Sequence, residues 1–564
     1  MKPVVFTLGI SALPLAQRLK VELDAEIHTP DWVSGGDVNY AKATTHLADL
    51  FKSGRTIIGI CASGILIRAL GPHLGDKHNE PPVIAVAEDG SSAVPLLGGH
   101  HGANELAKKI AAVTHGHAAI TTASDVRFGF SFDENRDGYT LANPQDMKSA
   151  TAAKLAGGDV KVETTEHIVK GGPAHIVYHP HTLTIGVGCE RGTSPKEVSE
   201  LIEKTLRENN LSIQSVKGFA SIDLKEDEPA IEQLCNIRYF TAQELNAQSD
   251  KLLTPSDYVK IKVGTPSVAE AAALAAAGPD AELIVAKTKS KRATCAIARA
   301  SAPILNLRGM ARGTVHVVGI GPGTAAMRSP ASTQALSMST DWVGYDLYLD
   351  LVADLKTDQI EHRFPLGGEE ARCRLAIELA KQGRQVALVC SGDAGIYAMA
   401  ALVYEIIDLE PNRIKVDVIP GISAFQAAAA KAGAMIGHDF CCISLSDLLT
   451  PWEAIEKRLH AAAVGDFVVS FYNPRSLKRR DQLERAFAIL KDHRPSDTPV
   501  IIATNLGRAT EAVKIVSFKD FNPDDVDMLT LVMVGSSQSK SFARGDGKTY
   551  AYTPRGYAKK RETL

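Results

Sequence analysis

VVGIGPGT (317–324), VALVCSGDAGIYAMA (386–400) and VDVIPGISAFQAAAA (416–430) share one pattern: an apolar, β-branched run, a turn carrying glycine, then a run of helix formers. Glycine in such a turn lets a ligand approach the main chain closely. The helix start that follows offers free N–H groups to polar or anionic atoms. In a parallel sheet all three turns fall at the strands' carboxyl edge, where open α/β proteins bind ligands. The three turns therefore predict one shared pocket. A dinucleotide fingerprint is a poorer reading, because Thr324 stands where the third glycine after Gly319 and Gly321 belongs and Pro322 stiffens the loop. Asp341 does follow about twenty residues on, where that fingerprint would place a ribose-binding carboxylate. No GK[ST] follows any of the three turns, which removes a phosphate-binding P-loop.

The same alternation extends outward in both directions. Strand, glycine turn and helix repeat from Thr314 to about residue 437, and FCCISL, DFVVSFY, TPVIIAT and MLTLVMVG continue as strands, giving two lobes, 314–437 and 438–564. Upstream, residues 1–127 alternate VVFTLG, TIIGI, VIAVA and AAITT with helices such as NELAKKIAAV, and Asp89-Gly90 marks a hairpin turn. Residues 128–180, rich in glycine and charge, read as a small connecting subdomain. In 181–305 a strand through Val187 precedes a helix capped by Ser194, with Pro195 first and Glu197 placed for a capping box; Val198, Leu201, Ile202 and Leu206 form its apolar stripe. SAPILNLRGMARG (301–313) has no period and reads as a linker. The fold class is multidomain α/β, a two-lobed C-terminal half preceded by two smaller α/β domains.

Composition agrees. The chain has 564 residues, 45% hydrophobic and 23% charged, enough for several cores and too apolar for a disordered chain. Sixty-two Lys and Arg oppose 65 Asp and Glu, a net charge of −3, so no global field recruits nucleic acid or an anionic membrane. No apolar run is long enough to span a bilayer, and MKPVVFTLGI reads as a first strand and not a signal peptide. The eight cysteines are scattered without a CxxC pair, which predicts reduced thiols in the cytoplasm and no bound metal.

VVGIGPGT, SGDAGIYAMA, PGISAFQAAAAKAG, GHDFCCISLSDLLTPW, SFYNPRS and ATNLGRATE, in that order, resemble the tetrapyrrole methyltransferases of corrin synthesis, and among them the precorrin-3B C(17)-methyltransferases. The resemblance covers about 314–555. It implies a two-lobed enzyme that binds S-adenosylmethionine in the cleft between lobes, takes a precorrin tetrapyrrole as substrate, contracts the macrocycle while methylating ring carbon 17, and works as a homodimer. It places Pro322, Gly323, Gly392, Asp393, Ala394, Ile396, Ser423 and Ala424 around the cofactor, joined from the second lobe by Tyr472, Asn473, Asn505 and Thr530. Methyl transfer from a sulfonium to an electron-rich carbon needs alignment and water exclusion more than a strong base. Ring contraction calls for a general acid. His438, Asp439 and Asp447 are the candidates, though the same residues suit plain capping roles. Tyr345 and Tyr348 are candidates to touch the macrocycle, or to be core with a wet hydroxyl.

CASGILIRALGPHLGDKH (61–78), EDGSSAVPLLGGHHGANELA (88–107), GVGCERGTS (186–194) and VGTPSVAEAAAL (263–274) are similar to the cobalt-precorrin-5A hydrolase family, which opens a lactone on a ring-contracted corrinoid and releases acetaldehyde. Ser63 and Gly64 lie in a strand-to-helix turn suited to a carboxylate, and His100 and His101 precede a helix where an imidazole could move protons near neutral pH. Lys287 and Lys289 concentrate positive charge that suits a carboxylate-rimmed substrate. A non-catalytic corrinoid binder satisfies the same residues, and the C-terminal half equally suits methylation at another macrocycle position. His73 and His78 lack the Cys or carboxylate spacing of a metal site.

Overall fold

Val4–Thr7, Ile57–Ile60 and Val83–Val86 are four-residue apolar runs buried along their whole length, as interior parallel strands covered on both faces must be. The computed structural model describes residues 2–76, 79–121, 137–476 and 479–557. Its contacts divide the chain into two units: Met1–Ile222 with Pro229–Gly309, and Asp223–Glu228 with Met310–Leu564.

The first unit opens with β1 (Val4–Thr7), β2 (Glu26–Pro30), β3 (Val38–Tyr40), β4 (Ile57–Ile60), β5 (Val83–Val86), β6 (Ser92–Leu97) and β7 (His117–Ala118). They form one sheet in the order β3-β2-β1-β4-β5-β6-β7. β1 to β5 run parallel, and β6 returns antiparallel to β5 through the Asp89-Gly90 turn, where Gly90 sits at φ +76°. Strand order reverses between β1 and β4, so the carboxyl-edge crevice of this sheet lies beside Cys61–Gly64. Side-chain alternation splits β1: Val5 packs with the helices Leu13–Leu23 and Ala103–Thr114, while Val4 and Phe6 pack with Ala43–Lys52 and Ser63–Leu70.

A histidine pair is built into the second of these layers. His28 Nδ1 and His46 Nε2 are 2.7 Å apart, and Tyr40 stacks on both His46 and Phe6 with centroids 5.0 Å away. Burial, reinforced at His28 by the charge of His46, holds both imidazoles below their ordinary pKa.

β8 (Tyr139–Leu141), β9 (Lys161–Thr164) and β10 (His175–Pro180) make a three-stranded sheet with β10 in the middle. β11 (Leu183–Cys189), β12 (Val216–Ile222), β13 (Ile237–Phe240), β14 (Glu282–Lys289) and β15 (Ala293–Arg299) form another, ordered β13-β12-β11-β15-β14. The helix Val268–Ala277 is almost all alanine because it lies directly on β11. A Cβ on Gly186 would stand 1.8 Å from the Ala269 carbonyl oxygen. Its one carboxylate, Glu270, is fully buried. Burial pushes it up, but the amides of Lys287, Thr254 and Leu253 and the Thr254 hydroxyl outweigh this and hold it below the carboxylate range. The helix Pro195–Glu208 begins after Ser194 as expected, but the capping box does not form. Glu197 instead accepts from Ser290 Oγ (2.6 Å) and Arg292 N (2.7 Å), a tertiary partner displacing the local one.

In the second unit β16 (Thr314–Gly319), β17 (Asp341–Tyr345), β18 (Ile360–Phe364), β19 (Gln385–Cys390) and β20 (Lys415–Ile419) form an all-parallel sheet ordered β18-β17-β19-β16-β20. Asp341 is no ribose ligand. It is fully buried and paired with Arg384 Nε (3.0 Å) and His362 Nε2 (2.9 Å), stitching three strands' ends together. After the short β21 (Gly433–Ala434), β22 (Phe440–Ser444), β23 (Val468–Tyr472), β24 (Pro499–Thr504), β25 (Ala512–Ser517) and β26 (Thr530–Val534) build the second lobe, ordered β22-β23-β26-β24-β25. β27 (Lys540–Ala543) and β28 (Thr549–Tyr552) form a three-stranded sheet with β21, ordered β21-β28-β27. Among the described residues no helix is long and apolar enough to cross a membrane.

The histidine pair makes the first unit sensitive to acid. An imidazole whose folded pKa is depressed contributes stability that is complete above the unfolded value, about 6.5, and is lost as pH falls toward the folded value. Denaturation midpoints of the first unit's transition are expected to be flat above neutrality and to decline below about pH 6.5. His181 in the same unit is also depressed by burial, so in His46→Gln that slope is expected to shrink by about a third, one of three such rings being gone; an unchanged slope would assign the acid sensitivity to other groups.

Candidate active site

β19, β16 and β20 are neighbours, so the turns that follow them meet at one edge of the sheet. They meet backbone to backbone. A Cβ on Gly421 would lie 2.1 Å from the Gly392 carbonyl oxygen and 2.6 Å from that of Gly319; one on Gly319 would lie 2.7 Å from Gly392 O. Gly321 and Gly392 exchange amide hydrogen bonds, Gly321 N to Gly392 O at 3.1 Å and Gly392 N to Gly321 O at 2.8 Å. Asp393 locks the cluster: Oδ1 accepts from Gly395 N (2.8 Å) and Oδ2 from Gly421 N (3.1 Å), tying the second turn to the third. Gly323, at φ +158°, lies against the second lobe, where a Cβ would be 2.6 Å from Gly507 O.

Over this cluster opens a cavity of about 630 Å³ walled by both lobes. Two aromatic pairs line it. Tyr345 and Tyr348 meet edge to face at 5.1 Å, and Tyr397 and Tyr472 are tilted at 5.1 Å. Tyr397 Oη donates to Cys442 O (2.8 Å), and the Tyr472 hydroxyl accepts from Phe425 N (3.4 Å). Burial raises the phenols of Tyr348 and Tyr397, pushes that of Tyr472 up to about 12, and pushes the Cys390 thiol up to about 12. At neutral pH these groups are hydrogen-bond donors, not nucleophiles. Tyr397, Asn473 and Asn505 all line the cavity with left-handed backbone (φ +51°, +49° and +50°). Asparagine tolerates that conformation, whereas at a tyrosine it is strain held by the surrounding fold.

Eleven expected site residues come together on this wall: Pro322, Tyr345, Tyr348, Gly392, Asp393, Ile396, Ala424, Tyr472, Asn473, Asn505 and Thr530. Gly323, Ala394 and Ser423 lie behind it, Ala394 and Ser423 buried at 0% and 2% exposure. His438, Asp439 and Asp447 are not among the lining residues. His438 and Asp439 are exposed, and Asp447 accepts from Gln482 Nε2 at 2.9 Å. Sequence reasoning passed over Arg372, Arg458, Arg508 and Tyr397. Tyr397 stands inside the glycine turn itself and Arg508 inside ATNLGRATE, so both were within reach; Arg372 and Arg458 carry no local signal.

In the first unit Ser63 starts the helix after β4, and Gly64 O accepts from Arg68 Nη1 at 3.1 Å. The turn Gly98–Gly102 follows β6, which runs opposite to β4 and β5, and a Cβ on Gly98 would strike the backbone of Pro81 and Pro82 just before β5. Ser63 and His101 therefore occupy opposite edges of one sheet, about 13 Å of strand apart. The side chain of His100, like residue His78, lies outside the described part. Lys287 does not present its charge: Nζ donates to Thr254 O at 2.7 Å and its amide to Glu270. Lys289 ends β14 opposite Thr294. Among the described residues no three His, Cys, Asp or Glu side chains group as a metal set.

Three family models match the chain: cobalamin synthesis G N-terminal over residues 45–125, cobalamin synthesis G C-terminus over 183–298, and tetrapyrrole (corrin/porphyrin) methylases over 314–522. A protein of Salmonella typhimurium named "Probable cobalt-factor III C(17)-methyltransferase" is 45% identical over 243 residues, 43% of this chain and 99% of that protein. The chain belongs to the tetrapyrrole methylase family. To this methylase's second unit a "Precorrin-3B C(17)-methyltransferase" of a Sinorhizobium species is also similar, 39% identical over 44% of the chain and 98% of its own length. The "Cobalamin biosynthesis protein CobIJ" of Mycobacterium bovis is 42% identical over 254 residues, and there the methylase chain spans about half (49%) of the relative.

Two substitutions test the turn cluster. Gly421→Ala is expected to lower the unfolding free energy of the second unit by about 3 kcal/mol or more, the upper end of overpacking costs, because the obstruction is main chain and cannot rotate away. Asp393→Asn turns a donor toward one of two backbone amides and is expected to cost about 1–3 kcal/mol while also weakening ligand binding. Denaturation midpoints with calorimetric titration check both. Normal stability in Asp393→Asn would show that the carboxylate does not hold the turns.

Proposed function

We propose that the second unit transfers a methyl group from S-adenosylmethionine to ring carbon 17 of precorrin-3B, or of its cobalt-containing counterpart, with contraction of the macrocycle. The observation that carries this reading is a two-lobed cavity, built on three mutually packed glycine turns, in a chain that matches C(17)-methyltransferases over nearly their whole length. The names of those two relatives divide between precorrin-3B and cobalt-factor III, so both metal states belong to the proposal.

The residues fit a sulfonium nucleoside. Gly392, at φ +68°, leaves clear the space a Cβ would fill toward Ser423 and Ala424, a cradle of main chain between the second and third turns. Ile396, Ala424, Ala503, Leu506 and Leu531 offer apolar wall for a base, and Asn473, Asn505 and Thr530 offer polar atoms for a ribose. When bound, the sulfonium supplies the methyl as an electrophile. The chain aligns donor and acceptor and keeps water out, which suits a wall of neutral phenols with no activated nucleophile among them. Burial keeps the Tyr348, Tyr397 and Tyr472 hydroxyls protonated, which suits them to hydrogen-bond the macrocycle and makes them weak general acids, while His438, Asp439 and Asp447 are not on the wall.

For the first unit we propose a cobalt-precorrin-5A hydrolase-like module whose ligand turn is Cys61–Gly64, at the point where strand order reverses. The chain is then a cytoplasmic enzyme with two activities of one pathway, working as a homodimer.

Incubation of the full chain with S-adenosylmethionine and either metal-free precorrin-3B or cobalt-factor III, followed by mass and NMR analysis of the tetrapyrrole, tests the reading. One methyl gained at carbon 17 on a contracted ring is expected. Cofactor binding without transfer to either substrate would refute the assigned substrate.

A further inference from the structure

Resting on the reading of the cavity as a tetrapyrrole site, we infer that Arg458 and Arg508 form a two-point anchor for carboxylate arms at the rim of the macrocycle. Both line the cavity, and neither makes an ion pair among the described residues. Neighbouring cations behave differently. Arg372, in the same wall, is buried and committed to Glu369 Oε1 (2.8 Å), Arg363 to Asp350 and Glu361, and Arg475 to Asp524.

Arg508 is held ready. Its Cγ lies in the close packing between Gly323 and Gly507, where a Cβ on Gly323 would be 3.2 Å away, so its stem is fixed against the first turn. Its Nε is buried with no hydrogen-bond partner. A buried guanidinium donor left open is costly unless an acceptor arrives to fill it. Arg508 shares the cavity wall with the Tyr345–Tyr348 pair, and its charge acts on the Tyr348 phenol. Arg458, on the helix Trp452–Val464, lines the same cavity as the Tyr397–Tyr472 pair, and its charge acts on Tyr397. Both unpaired guanidiniums thus share one wall with the two aromatic pairs.

The acids of the wall leave these two arginines available. Both oxygens of Asp393 are taken by backbone amides, Glu369 is taken by Arg372, and Glu405 makes no ion pair with either arginine. Leu366, Leu448, Leu449 and Met528 are exposed around the same cavity, Leu449 at 93%. Apolar side chains with guanidiniums set apart among them suit a flat ring edged by acetate and propionate groups, and a guanidinium pairs with a carboxylate in bidentate fashion. Selection would act on the arms: a macrocycle with esterified or missing carboxylates loses the anchor while keeping the plane.

The test uses uroporphyrin III, a stable macrocycle with a carboxylate arm at every pyrrole position, titrated by fluorescence quenching into the full chain, with S-adenosylhomocysteine affinity measured in parallel by calorimetry. Arg458→Ala and Arg508→Ala are each expected to weaken uroporphyrin binding about tenfold. The lysine variants should recover part of the loss, added salt should weaken wild type more than either alanine variant, and S-adenosylhomocysteine affinity should not change. With the natural substrate the same variants should raise KM more than they lower kcat. Wild-type uroporphyrin affinity in both alanine variants would overturn the anchor and leave the methyltransferase reading intact. If wild type binds S-adenosylhomocysteine but no carboxylated macrocycle, the substrate reading fails and takes the anchor with it. Should Arg508→Ala lose S-adenosylhomocysteine as well, the surface variant Arg458→Ala decides, and unchanged uroporphyrin affinity there overturns the proposal.

Discussion

Direct main-chain contact among Gly319, Gly392 and Gly421 is the constraint on which the methylase unit depends. Three parallel strands can end side by side in any α/β sheet, but these turns share the space above it only because Gly319 and Gly421 carry no side chain, a methyl group on either coming within 2.1–2.7 Å of a neighbouring carbonyl, while Gly392 supplies the left-handed turn at φ +68°. The contact does two things at once. It brings three helix starts to one edge, and it leaves a floor made of backbone, on which Asp393 spends its carboxylate holding the turns together. The second lobe then closes on that floor through Gly323 and Gly507, another approach of main chain to main chain. Rigidity at the floor is what lets a positioning enzyme do without an activated base.

The electrostatics of the cavity follow from the same economy. Burial keeps phenols and a thiol neutral, so the polar wall donates hydrogen bonds without competing as a nucleophile. Many cations of the two lobes are neutralised by carboxylates, some one helical turn away, as Arg372 is by Glu369, and others on different elements, as Arg475 is by Asp524. The exceptions matter because an unpaired guanidinium at a cavity wall is a recognition element waiting for an acceptor. In the first unit the opposite holds: Lys287 and Glu270, conspicuous as charge, are consumed internally by Thr254 and by backbone amides. Formal charge in a turn or strand says little about function until its partners are known.

Local signals in the chain were legible where one segment contains its own explanation. Strand, glycine turn and helix at 317–324, 386–400 and 416–430 encode their order and the class of pocket, and Asp89-Gly90 encodes the return of β6 on β5. Spacing misled where a partner came from elsewhere. Asp341 sat at a ribose-binding distance but serves Arg384 and His362, and Glu197 sat at a capping position but serves Ser290 and Arg292. The turns at Ser63 and at His101 look alike in sequence, yet the reversal of β6 sends them to opposite edges. Sequence proximity cannot reveal that, because edge assignment depends on strand direction within the sheet.

By itself the sequence determined the architecture: multidomain α/β, parallel where apolar runs are unbroken, with a pocket over three glycine turns. These features follow from backbone sterics and hydrophobic period, which act over a few residues. Only the tertiary structure decided which charges are free. Arg458 lies on a helix outside the recognised motifs and Arg508 lies within ATNLGRATE, where nothing in the sequence marks it as unpaired; the availability of both depends on what does not pack nearby. The tertiary fold likewise removed His438, Asp439 and Asp447 from the cavity wall and put Tyr397, strained and hydrogen-bonded to Cys442, into it. Whether a polar side chain is spent or available is a property of its surroundings, and those surroundings are assembled from segments far apart in the chain.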